Sequence, residues 1–141
     1  TLQPFVAPMR AARRGALVVI ASVAGYRGLP GSGAYSSSKA AAIAWAESLR
    51  VELRGSGIDV VTICPGYVAT PMTAHNEYPM PFLMAPEAFA RRAARVIARG
   101  SRFVVIPWQM GVVGWVLKRL PRWLYDTLLA RAGRKKRNLP M

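Results

Sequence analysis

Three short apolar runs separated by helix-like segments constrain the fold of this chain more than any other feature. The runs cover residues 16–21, 58–64 and 103–106. The first run, ALVVIA, shows no alternation of polar and apolar residues, which is typical of a parallel strand covered on both faces. Pro65-Gly66 stops the second run and Pro107 closes the third. The order strand, helix, strand, helix, strand predicts an α/β fold with a parallel sheet.

Helix signals fill the intervals between these runs. Apolar residues at helical spacing predict a helix within residues 1–14 that stops at Gly15. A long alanine-rich helix is predicted over residues 34–54, with Ser32 in place to cap it. Pro86-Glu87 predicts the start of a further helix that runs to Arg99, because proline suits the first turn and an acid suits the positive end of the helix dipole. Residues 70–85 are predicted to be irregular.

Composition argues against several classes of protein. The single cysteine, Cys64, allows no internal disulfide and no cysteine pair for a metal site, so we interpret it as a core filler in a reducing, cytoplasmic setting. The apolar stretch from Phe103 to Leu117 is shorter than the roughly 20 residues that a membrane-spanning helix needs. The chain opens without Met and without a signal pattern. We therefore expect a segment of a longer, cytoplasmic protein.

The charge of the chain is strongly basic and is concentrated near its end. The formal net charge is +14, and residues 118–141 hold eight Lys or Arg against one acid. Trp108, Trp115 and Trp123 are interleaved with these cations, which suits an anionic membrane surface. A subunit contact and a solvated tail are the alternatives. Nucleic acid is not favoured, because no recognised binding module accompanies the charge.

A tyrosine and a lysine lie one turn apart at the start of the predicted long helix. Tyr35 and Lys39 are four residues apart, so their side chains share one face. A neighbouring ammonium stabilises a phenolate, which makes such a pair a sensible proton donor and acceptor for carbonyl or alcohol chemistry. Ser22 follows the first predicted strand, at the end of a parallel strand where ligands bind in open α/β sheets. Its hydroxyl could donate to a substrate oxygen that gains charge.

Three ordered blocks resemble the short-chain dehydrogenase/reductase family. They are Ala21-Ser22-Val23-Ala24-Gly25, then Tyr35-Ser36-Ser37-Ser38-Lys39-Ala40-Ala41, then Pro65-Gly66-Tyr67-Val68-Ala69-Thr70-Pro71-Met72. The resemblance covers most of residues 10–75. It implies the C-terminal half of a Rossmann-like, doubly wound parallel sheet, and an oxidoreductase that uses NAD or NADP to interconvert a secondary alcohol and a carbonyl compound.

The resemblance also implies a role for each matched residue. Tyr35 matches the family's catalytic acid and base, and Lys39 matches the lysine that binds the nicotinamide ribose and makes the tyrosine a better acid. Ser22 matches the serine that orients and polarises the substrate oxygen. The segment beside the nicotinamide carboxamide matches Pro65, Gly66, Val68 and Thr70. No metal is implied, and the alanine-rich helix often pairs with its twin in family dimers or tetramers.

Other family motifs are absent from this chain. The glycine-rich phosphate turn, the Asn-Asn-Ala-Gly block and the catalytic asparagine do not occur in it. We therefore expect residues 1–107 to be the C-terminal half of the catalytic domain and residues 108–141 to be an extension, helical and then flexible. The chain alone is expected to be inactive. The alternative is a non-catalytic protein, associated with a membrane surface, that retains the fold.

The loop after the third block is unusually apolar. It holds Met72, Tyr78, Met80, Phe82, Leu83 and Met84. We favour a mobile lid over an apolar substrate, with packing against the next helix as the alternative. His75, the single histidine, is interpreted as a surface or packing residue.

Overall fold

A computed structural model describes residues 3–74, 76 and 79–131. The elements in chain order are α1 (Gln3–Ala12), β1 (Gly15–Ile20), a 3₁₀ turn (Val23–Gly25), α2 (Gly33–Glu52), β2 (Ile58–Pro65), α3 (Pro86–Ala98), β3 (Phe103–Ile106), α4 (Trp108–Arg119) and α5 (Arg122–Arg131). The predicted α/β class is confirmed, and each predicted strand and helix lies within two residues of its expected bounds.

The three strands form one parallel sheet in the order β1, β2, β3. Gly15 is in register with Ile58 and Ile20 with Ile63, while Thr62 is in register with Phe103 and Pro65 with Ile106. Because all three strands run in the same direction, their carboxyl ends lie along one side of the sheet. On that side Ser22 follows β1, and the segment from Gly66 to Thr70 follows β2.

The core is centred on β2, and β1 is an edge strand. Val61, Ile63 and Cys64 are 0% exposed. Among the described residues β1 pairs with β2 alone, and Ile20 is 47% exposed. Leu17 and Val19 pack against one core cluster and Val18 against another, so both faces of β1 take part in packing as expected, while its free edge leaves Ile20 exposed.

The loop between β1 and α2 packs tightly onto α2 at Gly25. A Cβ atom at Gly25 would lie 2.8 Å from the carbonyl carbon of Lys39 and 2.9 Å from the backbone nitrogen of Ala40. The absence of a side chain therefore allows the loop to touch the helix backbone. Ser36 secures the same loop, because its buried hydroxyl accepts a hydrogen bond from the N–H of Leu29 at 3.3 Å.

The start of α2 is not capped as expected. Ser32 occupies the capping position, but its side chain makes no capping hydrogen bond, and its φ and ψ of −128° and 27° lie outside the extended region typical of such caps. The Ser32 carbonyl accepts the first helical hydrogen bond, from the N–H of Ser36 at 2.8 Å.

The apolar stretch that follows residue 103 is divided between two elements. Pro107 ends β3 and precedes α4, so the stretch changes from strand to helix within a few residues. No helix in the described part of the chain has both the length and the apolar character needed to cross a membrane.

The thiol of Cys64 lies in the core behind the end of β1. Burial raises its pKa from 9.0 to about 11, against the opposing effects of a hydrogen bond from the backbone N–H of Ser22 and the charge of Lys39. The residue is 0% exposed, as expected for a core filler. At neutral pH it is a protonated thiol and not a nucleophile.

Replacing Gly25 by alanine is expected to destabilise the chain by about 1–3 kcal/mol, because the new methyl group must displace the backbone of α2. Gly28→Ala is the matched control, since a Cβ at Gly28 would meet nothing within 4 Å. Urea unfolding followed by circular dichroism measures both variants. Equal stability of the two would contradict the close packing at Gly25.

Cys64 is expected to make the chain less stable as the pH rises from 9 to 11. In the unfolded chain the thiol ionises near its ordinary pKa of 9.0, whereas in the folded chain it stays protonated up to about 11. The unfolded state therefore releases a proton first and is favoured at high pH. The urea midpoint, measured under reducing conditions, should fall across this window.

Cys64→Ala should remove the part of the fall in the urea midpoint that ionisation of the thiol causes. Tyr26→Phe should retain that part. Burial raises the pKa of Tyr26 from 10.0 to about 12, so its own contribution extends to higher pH. An unchanged pH profile in Cys64→Ala would show that the thiol does not carry the effect.

Candidate active site

The end of β1 carries the first predicted site residue, Ser22. The N–H of Ala21 donates to the carbonyl of Ile63 on β2 at 2.8 Å, which continues the sheet pairing one residue beyond the strand. Ser22 then begins the 3₁₀ turn, and its Oγ accepts a hydrogen bond from the N–H of Ala24 at 3.2 Å. The residue is 9% exposed. Because Oγ acts as the acceptor in this bond, its own proton remains available for donation.

Tyr35 and Lys39 lie on the first turns of α2 and face the end of β1. Lys39 Nζ donates a hydrogen bond to the carbonyl oxygen of Ile20 at 3.2 Å. The same ammonium lies 5.6 Å from the centre of the Tyr35 ring. Tyr35 is 45% exposed, so its ring is open to a ligand. The predicted one-face arrangement is thus observed, and Lys39 connects it to the strand that leads to Ser22.

The segment from Pro65 to Thr70 follows the neighbouring strand, β2. Gly66 donates its N–H to the carbonyl of Ile106 at 2.8 Å. A Cβ at Gly66 would lie 2.6 Å from Cγ of Met110, so a glycine is needed where α4 covers this turn. These contacts tie the start of the segment to β3 and α4.

The second half of the segment is fixed by local hydrogen bonds. Val68 forms a bridge with Met84. Thr73 Oγ1 accepts the N–H of Thr70 at 2.9 Å and donates to the carbonyl of Val68 at 2.7 Å. The loop that returns to Met84 is thereby held beside the segment that was predicted to bind the nicotinamide.

The apolar loop after this segment is largely exposed. Met72 is 80%, Phe82 49% and Leu83 47% exposed, whereas Met84 packs against the core under α3. Core packing therefore accounts for Met84 but not for the other three side chains. Tyr78 and His75 lie outside the described residues. A lid remains a prediction.

Two residues that the sequence did not single out hold the loop between Ser22 and Tyr35. The guanidinium of Arg27 donates to the carbonyls of Leu117 and Leu120 at 2.8 and 2.6 Å, and it lies 3.9 Å from the centre of the Tyr125 ring. The Tyr125 hydroxyl donates to the carbonyl of Gly28 at 2.5 Å. This arrangement, which we call the Arg27 clamp, joins the loop to α4 and α5.

The clamp also gives the carbonyl groups at the C-terminal end of α4 a positively charged hydrogen-bond donor. The last carbonyls of a helix have no partner within the helix and carry partial negative charge, which a guanidinium complements. Tyr125 is 7% exposed, and burial is the main cause that raises the pKa of its hydroxyl. An arginine in a glycine-rich loop is the only sequence signal of the clamp, and it does not identify the partner.

Across residues 3–74, 76 and 79–131, no group of three or more His, Cys, Asp or Glu side chains is placed to hold a metal ion.

The known proteins whose sequences resemble this chain are described as dehydrogenases or oxidoreductases. The sequence pattern of the short chain dehydrogenase family matches residues 1–80. An uncharacterized oxidoreductase of Myxococcus xanthus is 44% identical over 131 residues, which cover 93% of this chain and 52% of that protein. An uncharacterized oxidoreductase of Escherichia coli is 49% identical over 131 residues, covering 82% of this chain and 48% of that protein. The chain therefore spans about half the length of the curated relatives it matches.

Solved structures show the same fold. A 7beta-hydroxysteroid dehydrogenase superposes with a TM-score of 0.75 at 22% identity, covering 92% of this chain and 52% of its own. A 3-oxoacyl-[acyl-carrier protein] reductase from Brucella melitensis superposes with a TM-score of 0.62 at 27% identity, covering 74% and 45%. The first likeness supports the Rossmann-like fold. Together with the family pattern over residues 1–80, these findings show that this chain belongs to the short-chain dehydrogenase family.

Proposed function

We propose that the protein carrying this chain is an NAD- or NADP-dependent oxidoreductase that interconverts a secondary alcohol and a carbonyl compound. The observation that carries the proposal is the position of the Lys39 ammonium, which is bound to the carbonyl of Ile20 and lies 5.6 Å from the ring of Tyr35. This arrangement puts a phenol, its cationic partner and the Ser22 hydroxyl on neighbouring elements at the ligand-binding side of a parallel sheet.

Tyr35 acts as the proton donor in the reductive direction. As the carbonyl carbon is reduced, negative charge develops on the substrate oxygen, and the phenol gives it a proton. The ammonium of Lys39 stabilises the phenolate that remains. The Ser22 hydroxyl, whose oxygen already accepts from Ala24, donates to the same substrate oxygen. In the oxidative direction the proton returns to Tyr35.

The residues present fit a nicotinamide cofactor. An ammonium has three N–H donors, and the Ile20 carbonyl accepts one from Lys39. The others can serve ribose hydroxyls. Pro65, Gly66, Val68 and Thr70 would lie beside the carboxamide, and the bound cofactor would supply the hydride. A short chain dehydrogenase from Burkholderia cenocepacia is solved in complex with NADP, and a Brucella melitensis reductase with bound NAD. Both cofactors are therefore candidates.

We further propose an apolar substrate. Met72, Phe82 and Leu83 expose large apolar side chains in the loop that follows the cofactor segment. A lid that closes over an apolar compound would cover them and exclude water from the reacting atoms. The names of similar proteins, a hydroxysteroid dehydrogenase and 3-oxoacyl-[acyl-carrier-protein] reductases, are consistent with substrates of this kind.

We also propose that the protein forms a homo-oligomer in the cytoplasm. Ala40, Ala41 and Ala44 on α2 are exposed, and small side chains allow a second helix to approach closely. A twin copy of α2 is the partner that this face suits.

A second candidate function is a non-catalytic, membrane-surface protein that retains the fold. The exposed tryptophans of α4 and α5 favour it. The two candidates differ in the sequence that would accompany this chain, because an enzyme needs a glycine-rich phosphate turn and a catalytic asparagine.

Tyr35→Phe in the complete protein is expected to lower kcat at least a hundredfold, because general acid catalysis typically contributes about 10²–10⁴-fold. Steady-state oxidation of NADH or NADPH with a panel of ketones measures the loss. Tyr26→Phe is the matched control, since it also removes one phenol hydroxyl but lies outside the proposed proton path. Turnover within a factor of two of the parent in Tyr35→Phe would refute the mechanism.

The chain by itself is expected to show no turnover of NADH or NADPH. It holds the proton-handling residues, but it contains neither the family's glycine-rich phosphate turn nor the catalytic asparagine. Spectrophotometry at 340 nm measures consumption of the reduced cofactor, with the complete protein as positive control. Steady consumption by the isolated chain that Tyr35→Phe abolishes would overturn this expectation.

A further inference from the structure

Helix α4 presents an apolar stripe to solvent. Trp108 is 69%, Val112 53%, Trp115 54% and Val116 44% exposed. These positions follow the i, i+4, i+7, i+8 spacing that puts side chains on one face of a helix. The opposite face is used for packing, since Met110 and Gly114 are buried against the core and the loop after β1. The stripe therefore takes no part in packing α4 against the rest of the described chain.

Positive charge borders the stripe at its C-terminal end. Lys118, Arg119 and Arg122 are exposed, and α4 contains no acidic residue. The guanidinium of Arg119 lies 4.0 Å from the centre of the Trp115 ring. On α5, Trp123 is 70% exposed. Tryptophan rings beside cations are typical of helices that lie at the boundary between acyl chains and anionic headgroups.

The position of α4 in the fold leaves this face open to a partner. Within the described residues the two edge strands of the sheet are β1 and β3. Helix α4 packs on β3, at the opposite edge. Strands added beside β1 would thus extend the sheet away from the stripe. Because no described helix can span a bilayer, a membrane would be contacted from its surface.

We propose that the outer face of α4, with Lys118, Arg119, Arg122 and Trp123, docks the protein on the surface of an anionic lipid bilayer. The apolar stripe would enter the headgroup boundary, and the cations would attract acidic headgroups. The sequence beyond the described residues adds Arg134, Lys135, Lys136 and Arg137, which have the same sign of charge. This surface is independent of Tyr35 and Lys39, so it stands or falls separately from the proposed oxidoreductase activity.

Flotation of the whole chain with lipid vesicles tests the proposal. The chain should float with vesicles of phosphatidylcholine and phosphatidylglycerol in equal parts and remain at the bottom with pure phosphatidylcholine. A cation near such a surface contributes about fivefold to the partition coefficient. The triple variant Lys118→Gln, Arg119→Gln, Arg122→Gln should therefore bind about a hundredfold more weakly.

Matched variants on other helices control for charge and for aromatic content. Arg10→Gln, Arg13→Gln, Arg14→Gln removes three exposed cations from the end of α1 and the turn after it, and should leave flotation within threefold of the parent. Trp45→Ser, on the exposed face of α2, should do the same. In contrast, Trp108→Ser with Trp115→Ser should abolish flotation. Circular dichroism checks that each variant is folded.

Tryptophan fluorescence reports where the contact occurs. The chain has four tryptophans, and in a Trp45→Phe background the remaining three all belong to α4 and α5. Their emission should shift to the blue with anionic vesicles.

Three results would overturn the proposal. They are equal flotation with both kinds of vesicle, equal loss of binding in the control variant at the end of α1, and a dimer on size-exclusion chromatography that Trp108→Ser with Trp115→Ser converts to a monomer without affecting flotation. The last result would show that a second copy of the chain covers the stripe.

Discussion

The contact between Gly25 and the backbone of α2 determines the geometry of the whole candidate site. Ser22 belongs to the loop, whereas Tyr35 and Lys39 belong to the helix, so their relative positions depend on how closely loop and helix approach. Gly25 lets the loop lie directly on the helix at Lys39 and Ala40. The hydrogen bond from Lys39 to Ile20 then ties the same helix turn to the end of β1. A bulkier residue at position 25 would separate the residues of the proposed proton relay.

The same loop is held from its other side by the C-terminal helices. The Arg27 clamp joins it to the end of α4 and to Tyr125 on α5. Gly114 continues this contact, since a Cβ there would lie 2.4 Å from the ring of Tyr26. The two helices after β3 are therefore packed against the loop that leads from Ser22 to Tyr35. Their inner faces pack against the loop, and their outer faces are exposed and available for a different role.

Much of this architecture can be predicted from the sequence because its signals are local. The strands are unbroken apolar runs, the helices have recognisable starts, and the spacing of Tyr35 and Lys39 fixes a shared helical face. Other features depend on partners distant in the sequence. Ser32 occupies a capping position without capping, because φ and ψ at that position do not bring its hydroxyl to the helix N–H groups. The hydrogen bonds of the Arg27 clamp join residues 90 to 97 positions apart, and no local pattern identifies such a pair.

The exposure of β1 shows why the site residues and the activity must be considered separately. An apolar run predicts a buried strand, yet full burial also requires a neighbour on each side, and among the described residues β1 has one. Ser22, Tyr35 and Lys39 nevertheless hold their places, because the contacts that fix them come from Gly25, Ile20 and β2 within the chain. Proton transfer and dinucleotide binding thus rest on different contacts. The contacts that position Ser22, Tyr35 and Lys39 lie within this half of the fold, whereas the phosphate contacts of the family belong to motifs that this sequence does not contain. The proposed proton relay therefore concerns the chemistry of the complete protein and not activity of the chain alone.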